Sequence, residues 1–216
     1  MTFKAVIFDL DGTLLNTLED ICDSVNRVLK NRGFKEHKLE EYQYFVGEGA
    51  GVLIERVLPK SQKSPKIIQD CLNDFKVDYS KNWDNKTSAF LGINELLTEL
   101  TKRNIVVSIL SNKPQFYTEL CVKKFFKDHK FKIIYGQRET VPRKPDPTSA
   151  IEISKIININ PENILYVGDT PIDMQTANSA GMYAVGVSWG FRPVEELIRN
   201  KAKVIIQTPD ELLKLL

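Results

Sequence analysis

Four short segments of the 216-residue chain carry residues whose types and spacing can do chemistry. The first is Asp9-Leu10-Asp11-Gly12-Thr13, directly after the apolar run Ala5-Val6-Ile7-Phe8. Alternate side chains of a strand share a face, so an extended chain through this turn brings the two carboxylates together. Carboxylates that crowd each other need a proton or a cation. The second segment is Leu110-Ser111-Asn112-Lys113-Pro114, with a hydroxyl at a strand end and a proline suited to the first turn of a helix. Hydroxyl and backbone N–H groups at such a helix start suit a phosphate. The third is Arg143-Lys144-Pro145-Asp146-Pro147, where Asp146 reads as N-cap and Lys144 stands just upstream, within reach of an anion. The fourth is Gly168-Asp169-Thr170-Pro171-Ile172-Asp173, again a strand end running into a proline-started helix, with two more carboxylates.

The elements that must position these segments are legible as well. Apolar runs recur at 105–110, 132–135, 164–167, 183–187 and 204–206. Between them lie amphipathic stretches such as Ile93, Leu96, Leu97 and Leu100, and, less cleanly, Ile151, Ile153, Ser154 and Ile157. Strands alternating with helices predict an α/β fold, a parallel sheet covered on both faces. Ligands of such sheets bind outside the carboxyl ends of the strands, and all four segments belong on that edge.

Residues 16–82 break the rhythm. Thr17 reads as the N-cap of a helix whose stripe is Ile21, Val25, Val28 and Leu29, with Gly33 as its stop. Helical patterns follow through Val52-Leu53-Val57-Leu58 and Ile67-Ile68-Leu72-Phe75. The expected division is therefore an α/β core from 1–15 and 83–216, with an all-helical block, 16–82, placed to serve as a lid.

On that sheet edge the pooled charges are Asp9, Asp11, Asp169 and Asp173 against Lys144. A bound phosphate would add about −2. Such a sum calls for a metal, and oxygen-only donors with no His or Cys point to Mg²⁺, with Mn²⁺ accepting the same donors. Phosphoryl transfer to a carboxylate is the chemistry that needs this set.

Composition excludes much else. Hydrophobic residues make up 42% and charged residues 27%, an ordinary globular balance. A net charge of +2 gives no global sign of nucleic-acid binding. No apolar run reaches the ~20 residues that span a bilayer, and the N-terminal stretch is too short and too soon acidic for a signal peptide. Cys22, Cys71 and Cys121 are odd in number and form no CxxC pair, which argues for free thiols and a reducing cytoplasm. His37 and His129 lie in charged stretches and read as surface residues.

DLDGT, then SN-K-P, then KPDP, then GDTPxD, in that order, resembles the four-motif pattern of the haloacid dehalogenase superfamily, over nearly the whole chain. The resemblance implies a Rossmann-like core with an inserted helical cap. It implies that Asp9 attacks phosphorus to form an aspartyl-phosphate. Asp11 would then protonate the leaving oxygen and deprotonate the hydrolytic water. The Asp9 carboxylate, the Asp11 backbone carbonyl and Asp169 would hold Mg²⁺, with Asp173 ligating directly or through water. Ser111 and Lys144 would bind phosphoryl oxygens, assisted by groups at Gly12, Thr13 and Asn112. An acid at position 11 favours phosphate esters over carbon–halogen bonds or phosphonates. Within the superfamily the pattern is most similar to the phosphoglycolate phosphatases, in the segment Val46-Gly47-Glu48-Gly49-Ala50-Gly51 and in Phe90-Leu91-Gly92-Ile93. Gly47 and Gly49 are the corresponding substrate-contact candidates; alternatively they only allow a tight turn. Asn16 and Leu91 depart from the usual Asp and Pro. The expected substrate is a small phosphorylated metabolite, with no nucleic-acid or membrane partner, acted on by a monomer or homodimer. Phosphosugar mutase, pyrophosphatase and nucleotidase are alternative activities on the same nucleophile. A phospho-accepting signalling module is an alternative of another class.

Overall fold

The computed structural model describes residues 2–216, which form two compact units, 2–15 with 89–216 and Asn16–Ser88. In chain order the first unit holds β1 (Ala5–Phe8), α5 (Ile93–Lys102), β4 (Val106–Pro114), α6 (Gln115–Phe125) and β5 (Ile134–Gln137). It continues through α7 (Thr148–Ile157), β6 (Ile164–Gly168), α8 (Pro171–Ser179), β7 (Tyr183–Val187), α9 (Val194–Arg199) and β8 (Val204–Ile206). The second unit holds α1 (Leu18–Asn31), α2 (Leu39–Phe45), α3 (Ala50–Val57) and α4 (Pro65–Asn82). The two crossings between units are the short strands β2 (Leu15–Asn16) and β3 (Ser88–Ala89), which pair with each other.

The six long strands make one parallel sheet in the order β5-β4-β1-β6-β7-β8. The continuous apolar runs have a simple cause: β1 and β6 are buried at every position, as central strands covered on both faces must be. Register puts Ile7 between Ser108 and Tyr166, and Phe8 between Ile109 and Val167. The chain steps from β1 outward through β4 to β5, then returns to the other side of β1 for β6, β7 and β8. The sheet therefore switches direction around β1, where open α/β sheets take ligands.

The predicted strands are all present. β4 runs further than its apolar stretch, through Pro114, which pairs with Gln137; a register shift leaves Ser111, Asn112 and Lys113 between the paired positions Leu110 and Pro114. The α5 stripe Ile93, Leu96, Leu97 and Leu100 is wholly buried. In α7 the buried face is Ser149, Ala150, Ile153 and Ser154, with Ile151 and Ile157 only partly covered. That helix starts one residue beyond the expected N1, at Thr148, whose N–H donates to Asp146 Oδ1 at 2.9 Å.

In the second unit the α1 stripe packs as expected, and α2 adds a helix that no periodicity announced. The buried face of α4 is Cys71, Phe75 and Tyr79. Residues 83–88, expected with the α/β core, fold with the helices instead. Buried Asp20 accepts from Lys86 N (3.1 and 3.0 Å), Thr87 N (2.8 Å) and Thr87 Oγ1 (2.8 Å), which ties the segment to α1. His37 is not a free surface residue. Its Nε2 lies 2.9 Å from the Val57 carbonyl, and its ring meets Phe45 edge-on. No described helix is long and apolar enough to cross a membrane.

Candidate active site

The site begins where β1 ends. Asp9 N donates to Val167 O at 2.9 Å, so the first residue beyond β1 is still held against β6. The chain then turns: Gly12 N donates to Leu15 O, and Thr13, Leu14 and Leu15 all donate to Leu10 O. Gly12 has φ +90°, a left-handed conformation that favours glycine. A methyl at Gly12 would also overlap the Asp169 side chain, so the turn closes only on a residue without one.

Asp169 and Asp173 arrive from the end of β6 and the first turn of α8. Thr170 caps that helix through its hydroxyl, and Asp173 at N3 returns the bond, its Oδ2 accepting from Thr170 N (3.1 Å) and Thr170 Oγ1 (2.6 Å). This reciprocal cap fixes the Asp173 rotamer. Its other oxygen, Oδ1, receives Lys144 Nζ at 2.7 Å. Lys144 Nζ also stands 2.8 Å from Asp9 Oδ1, a charge contact in which Asp9 Oδ1 has no aligned hydrogen-bond donor. Asn112 supports Lys144 from behind: its Oδ1 accepts from Lys144 N at 2.9 Å and its Nδ2 donates to Lys144 O at 3.1 Å.

Asp9, Asp169, Asp173 and Lys144 are all buried. Carboxylate oxygens of the three acids lie within 4.8 Å of one another. One ammonium among three carboxylates leaves the cluster short of positive charge. Burial pushes the Asp9 carboxyl up to about 7 against the pull of Lys144, with Asp173 adding to the rise. Burial, Asp173 and Asp9 together hold Asp169 well above the usual carboxylate range. Burial alone would lower Lys144, but Asp173 and Asp9 outweigh it and keep the ammonium charged. An all-oxygen, over-acidic, buried cluster fits a hard divalent cation such as Mg²⁺.

The expected residues therefore divide. Asp9, Asp169, Asp173 and Lys144 form one cluster. Asp11 stands beside it, its carboxylate paired to Lys113. Ser111 is buried, and its hydroxyl accepts from Lys113 N at 3.2 Å. Thr13 turns its hydroxyl to Asp169 Oδ1 (3.1 Å), so in this structure it braces an acid. Asn112 clamps a loop through its side chain. Gly47 and Gly49 belong to the helical unit, at the turn before α3, with φ of +108° and +87°. Arg56 secures that turn, donating to Phe45 O and pairing with Glu48.

Two contributors escaped the sequence reading. Lys113 lies two residues beyond Ser111 in β4, a spacing that places both on one face and could have flagged it. The turn Ser188-Trp189-Gly190-Phe191 follows β7 at the same carboxyl edge. Phe191 N donates to Asp169 Oδ2 at 2.9 Å, and Trp189 Nε1 donates to Thr13 O at 3.0 Å. Its signal was its place at a strand end; it carries no charged group to draw attention.

The sequence pattern described as haloacid dehalogenase-like hydrolase matches residues 6–187. Phosphoglycolate phosphatase of Mannheimia succiniciproducens is 31% identical over 195 residues, covering 88% of this chain and 87% of its own. That of Pseudomonas putida is 28% identical over 199 residues, covering 89% and 73%. A solved structure of a protein from Lactobacillus delbrueckii subsp. bulgaricus matches with a TM-score of 0.94 at 28% identity, over 100% of this chain and 98% of that one. A haloacid dehalogenase-like family hydrolase from Streptococcus pneumoniae shares the fold, with a TM-score of 0.88 at 23% identity over 99% and 98%.

Proposed function

Because the chain belongs to the haloacid dehalogenase-like hydrolases, we propose that it is a Mg²⁺-dependent phosphatase of a small phosphorylated organic acid, 2-phosphoglycolate being the substrate best supported. The observation that carries the reading is the buried Asp9–Asp169–Asp173 cluster, three carboxylates against a single lysine. The curated relatives named above support the choice of substrate.

In this reading Asp9 attacks phosphorus while the bond to the alkoxide oxygen breaks, and Asp11 gives that oxygen its proton. The product alcohol leaves and an acyl phosphate remains on Asp9. Water then attacks phosphorus, Asp11 takes its proton, and the phosphorus–oxygen bond to Asp9 breaks to release phosphate. Asp9, Asp169, Asp173 and the Asp11 backbone carbonyl would hold Mg²⁺, whose bound charge offsets the negative charge that the phosphate brings. Lys144 directs Asp9 and eases its ionisation against the effect of burial. Ser111 and backbone N–H groups near Gly12 and Asn112 donate to phosphoryl oxygens, at a strand edge whose donors are already oriented.

We assign the helical unit to selectivity, as a cap, with Gly47 and Gly49 as its substrate-contact residues. We place the protein in the cytoplasm, where three buried cysteines outside any disulfide are at home.

A phosphate-release panel with p-nitrophenyl phosphate, 2-phosphoglycolate, hexose phosphates, nucleotides and pyrophosphate tests both levels. Turnover that needs Mg²⁺ and is lost in Asp9→Asn supports the phosphatase; full turnover in that variant, or in excess chelator, ends it. Preference for 2-phosphoglycolate supports the substrate, and preference for another ester replaces it.

A further inference from the structure

We propose that the Trp189–Phe191 turn is a latch on the cation site, and that Trp189 is a positioning residue for Mg²⁺ held through Asp169. The inference rests on the Mg²⁺ requirement argued above and concerns residues that reading did not use.

Asp169 is fully buried, so water cannot orient its carboxylate. Protein donors do so instead, one to each oxygen: Thr13 Oγ1 to Oδ1 at 3.1 Å and Phe191 N to Oδ2 at 2.9 Å. With one donor each, both oxygens keep a lone pair for a cation. The two donors are far apart in the chain, one in the loop after β1 and one in the turn after β7. The Trp189 indole joins them, because its Nε1–H donates to the carbonyl of Thr13 at 3.0 Å. Gly190, between the two anchoring residues, lies so close to Asp169 that a methyl there would overlap the side chain. The turn is thus pressed onto Asp169, pinned at one side by Phe191 N and at the other by the indole. Losing the indole N–H removes the donor to the Thr13 carbonyl and loosens Thr13, still tied through its N–H to Leu10 O, and with it the donor to Oδ1.

Groups that orient a metal ligand typically control metal affinity by ~10–100-fold, and Trp189 acts one bond further out, so Trp189→Phe is expected to weaken Mg²⁺ by roughly three- to tenfold. Calorimetric titration of Mg²⁺ into the whole protein reads this directly. KM for p-nitrophenyl phosphate at saturating Mg²⁺ should stay near the wild-type value while the Mg²⁺ activation constant rises, a split that general loosening would not produce. A second measurement avoids altering the turn. In Trp83→Phe, Trp189 is the remaining tryptophan. Its emission should change on Mg²⁺ addition with the calorimetric midpoint, and it should sensitise Tb³⁺ luminescence that Mg²⁺ displaces.

Equal Mg²⁺ affinity in wild type and Trp189→Phe overturns the latch. So does Trp189 emission that ignores saturating Mg²⁺, a result available even if Trp189→Phe fails to fold. Wild-type protein that binds Mg²⁺ but releases no phosphate overturns the phosphatase reading alone. Wild-type protein that binds no Mg²⁺ overturns both.

Discussion

Lys113 Nζ sits 3.1 Å and 3.2 Å from the two carboxylate oxygens of Asp11. The lysine is buried in β4 and the aspartate is partly exposed, in the loop after β1. The pairing of β1 with β4 ends at Phe8 and Ile109, and the two chains meet again here, a few residues further on. A contact to both oxygens holds the carboxylate plane more firmly than a contact to one.

Lys113 accordingly should matter to turnover more than to metal binding. General acid–base catalysis contributes about 10²–10⁴-fold, and a residue that only orients the acid should control part of that, so Lys113→Met is expected to lower kcat at least tenfold. Its Mg²⁺ affinity should stay within about twofold of wild type, since the triad of acids is intact. Steady-state kinetics and Mg²⁺ calorimetry check both halves; unchanged kcat removes Lys113 from the mechanism.

Lys144→Met should destabilise the metal-free protein. Removing one partner of a buried ion pair typically costs about 3–5 kcal/mol because the other charge stays behind. Here Asp9 is left beside Asp173 without its cation, and it can recover part of that cost by taking up a proton. The deficit should therefore grow with pH and shrink when Mg²⁺ is added. Urea unfolding of wild type and variant across pH gives the comparison, and a deficit independent of both pH and Mg²⁺ contradicts the assignment.

The Asp9 carboxyl, raised by burial to about 7, gives a signed pH dependence. Between its unfolded value near 4 and about 7, the folded chain keeps a proton that the unfolded chain has lost. This group therefore favours folding fully below about 4, and its contribution is lost as pH rises through about 7. A cation takes the place of that proton. Mg²⁺ should raise the melting temperature more at about pH 8 than at about pH 6. Proton release on Mg²⁺ binding, measured by calorimetry in buffers of different ionisation enthalpy, should be evident at about pH 6. No release there would place the proton elsewhere.

In the helical unit, Asp20→Ala should be costly without touching the site chemistry. The change strands the N–H groups of Thr87 and Lys86, while the Thr87 hydroxyl keeps only the Trp83 carbonyl at 3.1 Å. An unsatisfied buried group costs about 1–3 kcal/mol, so a loss of several kcal/mol is expected. Asp20→Asn keeps one acceptor oxygen and should lose less. Chemical denaturation with an equal loss in both variants would point to the charge instead of the hydrogen bonds.

The order of the strands came only with the structure; the sequence by itself determined a parallel sheet and four chemically rich loops at its carboxyl edge. These are local matters. An apolar run such as Ile164–Val167 has few ways to be satisfied other than between two covered faces, and Thr170-Pro171 starts a helix wherever it stands. Asp9, Asp169, Asp173 and Lys144 were legible because each sits at such an element end and carries charge. Division of labour among them was not. That Asp173 spends one oxygen on a helix cap and the other on Lys144, that Asn112 supports a backbone, and that Thr13 turns to Asp169 depends on which rotamer packs, and only tertiary neighbours decide that. Residues 83–88 went with the helices for the same reason: a buried carboxylate on α1 needed their N–H groups. Trp189 and Phe191 act through an indole N–H and a main-chain N–H, groups that no local pattern marks as chemical. They reach Asp169 from a strand two places away from β1 in the sheet, so their role exists only once β1, β6 and β7 lie side by side.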